Sequence, residues 1–280
     1  MDSLVSTEWL AGELGAPDLK VIDATYHLAE SGRDARAEYE AAHIPGAVFF
    51  DIGEIADTSS PYPTMLPSEH KFASRMQSLG LGDGSRFVIY DQSPLHSAAR
   101  AWWMLKGFGA HYVAILDGGL AKWTAEGRPT ESGRPQVRHA HFTASLDEAA
   151  VADKDAVRRA GEAGSHSIVD ARSAARFSGA EAETRPGLAA GHIPGSRNLP
   201  QGQLFAADGT WKRGDALRAE FEAAGVDLSR PMLTTCGSGV TAAVLAFGAH
   251  LLGKGDVTLY DGSWSEWGAD PQTPKATGTA

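Results

Sequence analysis

Short apolar, often β-branched runs recur along the chain: KVIDA at 20–24, AVFF at 47–50, RFVIYD at 86–91, YVAILD at 112–117, HSIVD at 166–170, MLTT at 232–235 and VTLYD at 257–261. Runs of this length bounded by turn formers read as buried strands. Helical patterns lie between them. SEHKFASRMQSL at 68–79 opens with a serine suited to a helix cap, and SAARAWWMLKGF at 97–108 carries an apolar face. Strands alternating with helices predict an α/β architecture, a mostly parallel sheet with helices on both faces.

The pattern occurs twice. Val21-Ile22-Asp23-Ala24 returns as Ile168-Val169-Asp170-Ala171, AHIPGAVFF at 42–50 as GHIPGSRNL at 191–199, and AILDGGLAKW at 114–123 as TLYDGSWSEW at 258–267. Three markers in one order at a nearly constant offset predict two copies of a domain of about 130 residues. The expected division is residues 1–135, a linker at 136–150 inside the polar, turn-rich stretch 128–149, and residues 151–280. Features common to both copies read as scaffold. His43 and His192 each open a His-Ile-Pro-Gly turn that leads into a strand, and Asp23, Asp170, Asp117 and Asp261 stand at strand ends.

The copies differ where chemistry is expected. FVIY leads to Asp91 in the first, whereas MLTT leads to Cys236, the one cysteine of the chain, in the second. The loop after Asp91 is also one residue longer. Lacking the thiol, the first copy is expected to be catalytically silent. Ligands of open α/β sheets bind beyond the carboxyl ends of strands, where Cys236 falls. Gly237 and Gly239 let backbone amides turn inward, and VTAAVLAFGAHLL begins a helix whose N-terminus carries partial positive charge. Such surroundings favour the nucleophilic thiolate over an inert buried thiol. Gly237-Ser-Gly239-Val-Thr-Ala242 also fits a dinucleotide fingerprint with Asp261 as the ribose acid. However, Asp261 has a twin at Asp117 in the copy without that fingerprint. A cysteine phosphatase would need an arginine closing the loop, where Thr241 and Ala242 stand.

Composition narrows the remaining classes. With 42% hydrophobic and 21% charged residues and a formal charge of −10, the chain reads as an ordinary globular protein with no affinity for nucleic acid or anionic membranes. A lone cysteine forms no internal disulfide, and no signal peptide or membrane span is read, so a cytoplasmic location is expected. Scattered histidines and the absence of a Cys-x-x-Cys pair suggest no metal site, and no cofactor is called for. The tryptophans of the WW and SWSEW segments read as packing.

The doubled domain, the HIPG turns and above all CGSGVTA resemble the rhodanese superfamily of two-domain sulfurtransferases over nearly the whole chain. Members that use thiosulfate place arginine and lysine after the cysteine; Gly237 and Ser238 here resemble the branch that uses 3-mercaptopyruvate. The resemblance implies that Cys236 accepts sulfur as a persulfide, releases pyruvate, and passes the sulfur to a thiol acceptor such as thioredoxin or a small thiol, or to cyanide. It places Arg176 and Arg185 as the substrate-binding pair, forks suited to a carboxylate. Gly237, Gly239, Val240 and Thr241 are the substrate-facing loop, with their amides on the sulfur. Ser238 is a hydrogen-bond or proton-relay group, and Thr241 is equally suited to capping the helix. A histidine and an aspartate that support the loop serine in some members are replaced here by Thr64 and Gly53. Thiosulfate:cyanide sulfurtransfer and a non-enzymatic persulfide carrier are the alternatives.

Overall fold

In the computed structural model, residues 1–183 and 185–279 are described, and they form two compact units. The first comprises residues 1–58, 66–147 and 207–211, and the second residues 59–65, 148–206 and 212–280. In the first unit the strands are β1 (Leu4–Val5), β2 (Leu19–Asp23), β3 (Val48–Phe49), β4 (Arg86–Tyr90) and β5 (Tyr112–Leu116). In the second they are β6 (Val151–Ala152), β7 (Ser167–Asp170), β8 (Arg197–Asn198), β9 (Met232–Thr235) and β10 (Val257–Tyr260). All neighbours pair in parallel, in the order β1-β5-β4-β2-β3 in one sheet and β6-β10-β9-β7-β8 in the other. Element for element, the second order repeats the first. Doubled topology therefore underlies the doubled sequence markers.

Helices flank each sheet. The first unit holds α1 (Thr7–Glu13), α2 (Ala35–Ala41), α3 (Ile52–Ile55), α4 (Glu69–Ser78), α5 (Ala98–Gly107) and α6 (Gly119–Ala125). The second holds α7 (Lys154–Ala163), α8 (Ala174–Ser178), α9 (Gly214–Ala223), α10 (Ala242–Leu251) and α11 (Ser263–Trp267). Ser68 caps α4 as its sequence suggests, accepting the Lys71 N–H at 3.3 Å. Val21, Val88, Ala114, Tyr39 and Trp123 share one core, and Ile168, Leu233, Val157, Tyr260, Trp264 and Trp267 another. Among the described residues no helix is long and apolar enough to cross a membrane.

The shared markers are scaffold. His43 and His192 are buried, donate Nδ1–H to the carbonyls of Tyr39 and Phe177 at 2.7 and 2.8 Å, and stack on the rings of those residues. The Asp23 and Asp170 carboxylates each accept the backbone N–H two residues on at 2.9 Å, closing the turn that ends β2 and β7. The stretch expected as a linker, 136–150, belongs to the first unit through Asp147. Gln77 donates to the Phe142 carbonyl, Asp83 holds Thr143, and Ser145 and Asp147 donate N–H groups to Phe108 and Gly107. Its polarity disguised this because the docking rests largely on hydrogen bonds, with the buried Phe142 ring, edge-on to Phe72, supplying the apolar contact.

Asp91, at the end of β4, uses its carboxylate to accept the N–H groups of Ser93 at 2.9 Å and Ala98 at 2.7 Å, bridging the loop to the start of α5. Burial outweighs those hydrogen bonds and pushes its carboxyl up to about 7. A folded-state value above the unfolded one means the native state binds more protons between about pH 4 and pH 7, so this group's contribution to stability is full below that window and is lost as pH rises through it. On lowering pH from 7.5 to 5, wild type should gain stability relative to Asp91→Asn by on the order of 2–3 kcal/mol. Urea unfolding of both proteins at the two pH values measures this; a constant difference would show that Asp91 titrates elsewhere.

Candidate active site

Cys236 follows β9 directly and is 2% exposed. Its sulfur accepts the Gly239 N–H at 3.1 Å. That geometry requires Gly239 to sit at φ 80°, a conformation a side chain resists. Val240 is buried beneath the loop, and α10 begins at Ala242. Thr241 occupies the helix N-cap position without a side-chain capping bond, so the helix start is set by backbone alone and the capping role expected for Thr241 is not seen. Ser238 is buried, and its carbonyl accepts the Thr64 hydroxyl at 2.6 Å. Thr64 thus braces the loop backbone.

The start of α11 clasps the other side of this loop. Ser263 Oγ accepts the Cys236 N–H at 3.1 Å, donates to the Tyr260 carbonyl at 2.8 Å and lies 4.0 Å from Cys236 Sγ. Trp264 N–H donates to the Cys236 carbonyl, and Ser265 donates both its N–H and its hydroxyl to the Gly237 carbonyl. Ser263 is fully buried and holds φ 48°, in the left-handed region that favours glycine. Its counterpart in the first copy is Gly119, at φ 56°, where a Cβ would lie 2.4 Å from the Asp91 carbonyl oxygen. The second copy therefore accepts backbone strain at a position the first leaves to glycine, and gains a hydroxyl beside the sulfur.

Both expected arginines converge on Gly237. Arg176, near the end of α8, has its guanidinium 3.5–3.8 Å from where a Gly237 Cβ would stand; its Nη2 bonds Glu183 at 2.5 Å, and its buried Nε has no partner among the described residues. Arg185 Nη1 donates to Ser265 Oγ, the hydroxyl that in turn holds the Gly237 carbonyl.

Beneath Arg176 lies Arg172. Its Nε and Nη2 bond Asp170, its Nη1 bonds Glu183 at 2.7 Å, its Nη2 also reaches the Gly191 carbonyl, and its Cζ lies 4.5 Å from the Trp264 ring centroid. Burial opposes the charge, but the two carboxylates hold the Arg172 pKa above its ordinary value. Trp264, expected only to pack, also supports this cation.

Sequence reasoning named neither Arg172, Glu183, Ser263 nor Ser265. Three of the four carried a signal. Superposing the repeats places Thr25 against Arg172, Gly119 against Ser263 and Ala121 against Ser265. Glu183 had none, since an acid in a polar loop does not announce its burial.

Residues 6–126 and 153–270 each match the rhodanese-like domain. The chain is 45% identical over 271 residues to 3-mercaptopyruvate sulfurtransferase of Homo sapiens, covering 95% of this chain and 91% of that one. It is 43% identical over 286 residues to thiosulfate sulfurtransferase of Cricetulus griseus, covering 99% and 96%. The crystal structure of SseA from Escherichia coli, a 3-mercaptopyruvate sulfotransferase of rhodanese fold, superposes with a TM-score of 0.87 at 40% identity, covering 95% of this chain and 100% of that one.

The strain at Ser263 has a direct check. Ser263→Ala and Ser263→Gly both remove the acceptor of the Cys236 N–H, but only glycine relieves the left-handed backbone. Ser263→Gly should therefore be the more stable of the two by about 1 kcal/mol. Urea midpoints compare them; alanine equal to or better than glycine would contradict the strained backbone.

Proposed function

The chain belongs to the rhodanese family, as two rhodanese-like domains in tandem, and on that premise we propose that it is a 3-mercaptopyruvate sulfurtransferase working through Cys236. The observation that carries this reading is the convergence of Arg176 and Arg185 on Gly237, the residue next to a cysteine whose sulfur already accepts a loop N–H. The two arginines bind the donor's carboxylate and place its sulfur against Cys236. The Cys236 thiolate attacks that sulfur; an S–S bond forms, the C–S bond breaks, and its electron pair leaves on the carbon fragment as pyruvate enolate. A proton taken up at carbon gives pyruvate. The outer sulfur then accepts attack by a thiolate such as that of thioredoxin or a small thiol, or by cyanide, and Cys236 leaves as thiolate.

Charge supports the choice of donor. No cation follows Cys236, where Gly237 and Ser238 stand. Around the loop, the guanidiniums of Arg172 and Arg176 pair with the carboxylates of Asp170 and Glu183, and that of Arg185 is held by the Ser265 hydroxyl. With no cation placed next to Cys236, the loop suits a monocarboxylate held by the two arginines better than the thiosulfate dianion. Ser238 supplies a neutral hydroxyl for the donor, and Thr64 stands where a histidine would be needed for a serine-histidine relay. Gly239, Val240 and Thr241 form the rest of the donor-facing loop in the same reading. The first domain, with Asp91 in the cysteine's place and its carboxylate filling the amides of its own loop, is silent in this reading. A cytoplasmic location belongs to the same proposal.

On purified protein, Cys236→Ala should abolish pyruvate release from 3-mercaptopyruvate. Loading of a single sulfur without turnover would instead indicate a carrier. Arg176→Ala should raise KM for 3-mercaptopyruvate about 10–100-fold, the worth of a charge-assisted hydrogen bond to a carboxylate, with a smaller change in kcat. The kcat/KM with thiosulfate and cyanide should be at least about tenfold below that with 3-mercaptopyruvate, a margin near 1.4 kcal/mol. Equal or better use of thiosulfate would overturn the choice of donor and favour the activity named for the Cricetulus griseus relative.

A further inference from the structure

Glu183 has no place in the reaction just described, yet its carboxylate is 1% exposed and splits between two arginines. Oε1 accepts from Arg172 Nη1 at 2.7 Å, and Oε2 accepts from Arg176 Nη2 at 2.5 Å. Burying an acid between cations is a poor means of gaining stability, because apolar residues of similar volume commonly serve as well or better. Arg172 does not need it for placement: Asp170, the Gly191 carbonyl and the Trp264 ring already fix that guanidinium. Arg176 does. Its side chain is 27% exposed, it projects from a five-residue helix, and its Nε has no partner among the described residues. Without Glu183, its long side chain would sample many rotamers and would have to be ordered anew by each donor.

We propose that Glu183 is a positioning residue for the donor clamp: anchored through Arg172, it holds the Arg176 guanidinium against Gly237 before the donor arrives. One edge of that guanidinium is committed to Glu183, which leaves its other N–H groups for a carboxylate. Ordering is thus completed on folding rather than on binding, and preorganisation of this kind appears in affinity. The inference rests on the reading of Arg176 as a donor ligand, and a double-mutant cycle separates the two.

Glu183→Gln keeps an oxygen for one arginine but presents an amide N–H₂ to the other, which has only donors to offer. It should raise KM for 3-mercaptopyruvate about tenfold and leave kcat within about threefold. On an Arg176→Ala background the same substitution should change kcat/KM by less than about twofold, because nothing remains to position. Glu183→Asp, which keeps the charge and shortens the reach, should give a smaller rise in KM that also vanishes without Arg176. Should the Gln variant not accumulate as folded protein, the Asp variant carries the cycle alone. Equal losses with and without Arg176, a fall in kcat at constant KM, or no change in KM would each overturn the assignment. An Arg176→Ala variant with wild-type kinetics would instead sink the clamp itself.

Discussion

The site depends on the grip of α11 on the backbone of Cys236 and Gly237. Trp264 N–H on the Cys236 carbonyl has a counterpart in the first copy, where Leu120 N–H donates to the Asp91 carbonyl at 3.1 Å. That bond is therefore scaffold: it ties the loop after one central strand to the helix after the neighbouring strand, and both copies need it. What the second copy adds is side-chain chemistry at the same joint. Ser263 takes the Cys236 N–H, and Ser265 takes the Gly237 carbonyl and passes its oxygen to Arg185. Because the joint is fixed first, each added hydroxyl arrives at a known distance from the sulfur without a new loop having to be built.

Strain follows the same line. Among the described residues, three that are not glycine have φ in the left-handed region: Thr64, His96 and Ser263. Two of them bond the backbone of the Cys236–Ser238 segment. A β-branched threonine at φ 57° is an uncommon conformer, and a buried serine at φ 48° is little easier. Strained backbone persists where its surroundings over-determine it, and here both strained residues buy hydrogen bonds that hold one loop. Reading Thr64 only as a missing histidine overlooked this, because its hydroxyl works on the Ser238 carbonyl rather than on the Ser238 side chain.

How much was visible in advance follows from which forces leave a pattern. Seven strands, the six longer ones and the two-residue β3 inside AVFF, were legible because burial on both sheet faces demands unbroken apolar runs. The two-residue strands β1, β6 and β8 were not, since so short an edge strand needs only a few ladder bonds, and Arg197-Asn198 in β8 carries no apolar signal at all. Cys236 and its glycines stood out by type and place, whereas the arginine pair was indicated only by the family resemblance. Arg172, Ser263 and Ser265 lay within segments aligned by the repeat, but the differences weighed between the copies were those of the loop after the cysteine and did not extend to the marker segments. Glu183 could not be found that way: its role comes from a fold that brings a loop acid under two guanidiniums.

The surroundings of Cys236 divide two electrostatic tasks between two kinds of group. The sulfur meets dipoles, the Gly239 N–H and at longer range the Ser263 hydroxyl, whose one proton is directed to the Tyr260 carbonyl but can be redirected. Full charges are kept further out, on arginines whose carboxylate partners are themselves buried. In the proposed reaction the nucleophile alternates between thiolate and persulfide and changes its charge distribution twice in each cycle, so a cation fixed directly on it would be mismatched for part of that cycle. A donor's carboxylate keeps its charge throughout and can be met by a fixed cation at no such cost. On that proposal, dipoles at the reacting atom and paired ions at the spectator group let one loop serve both half-reactions.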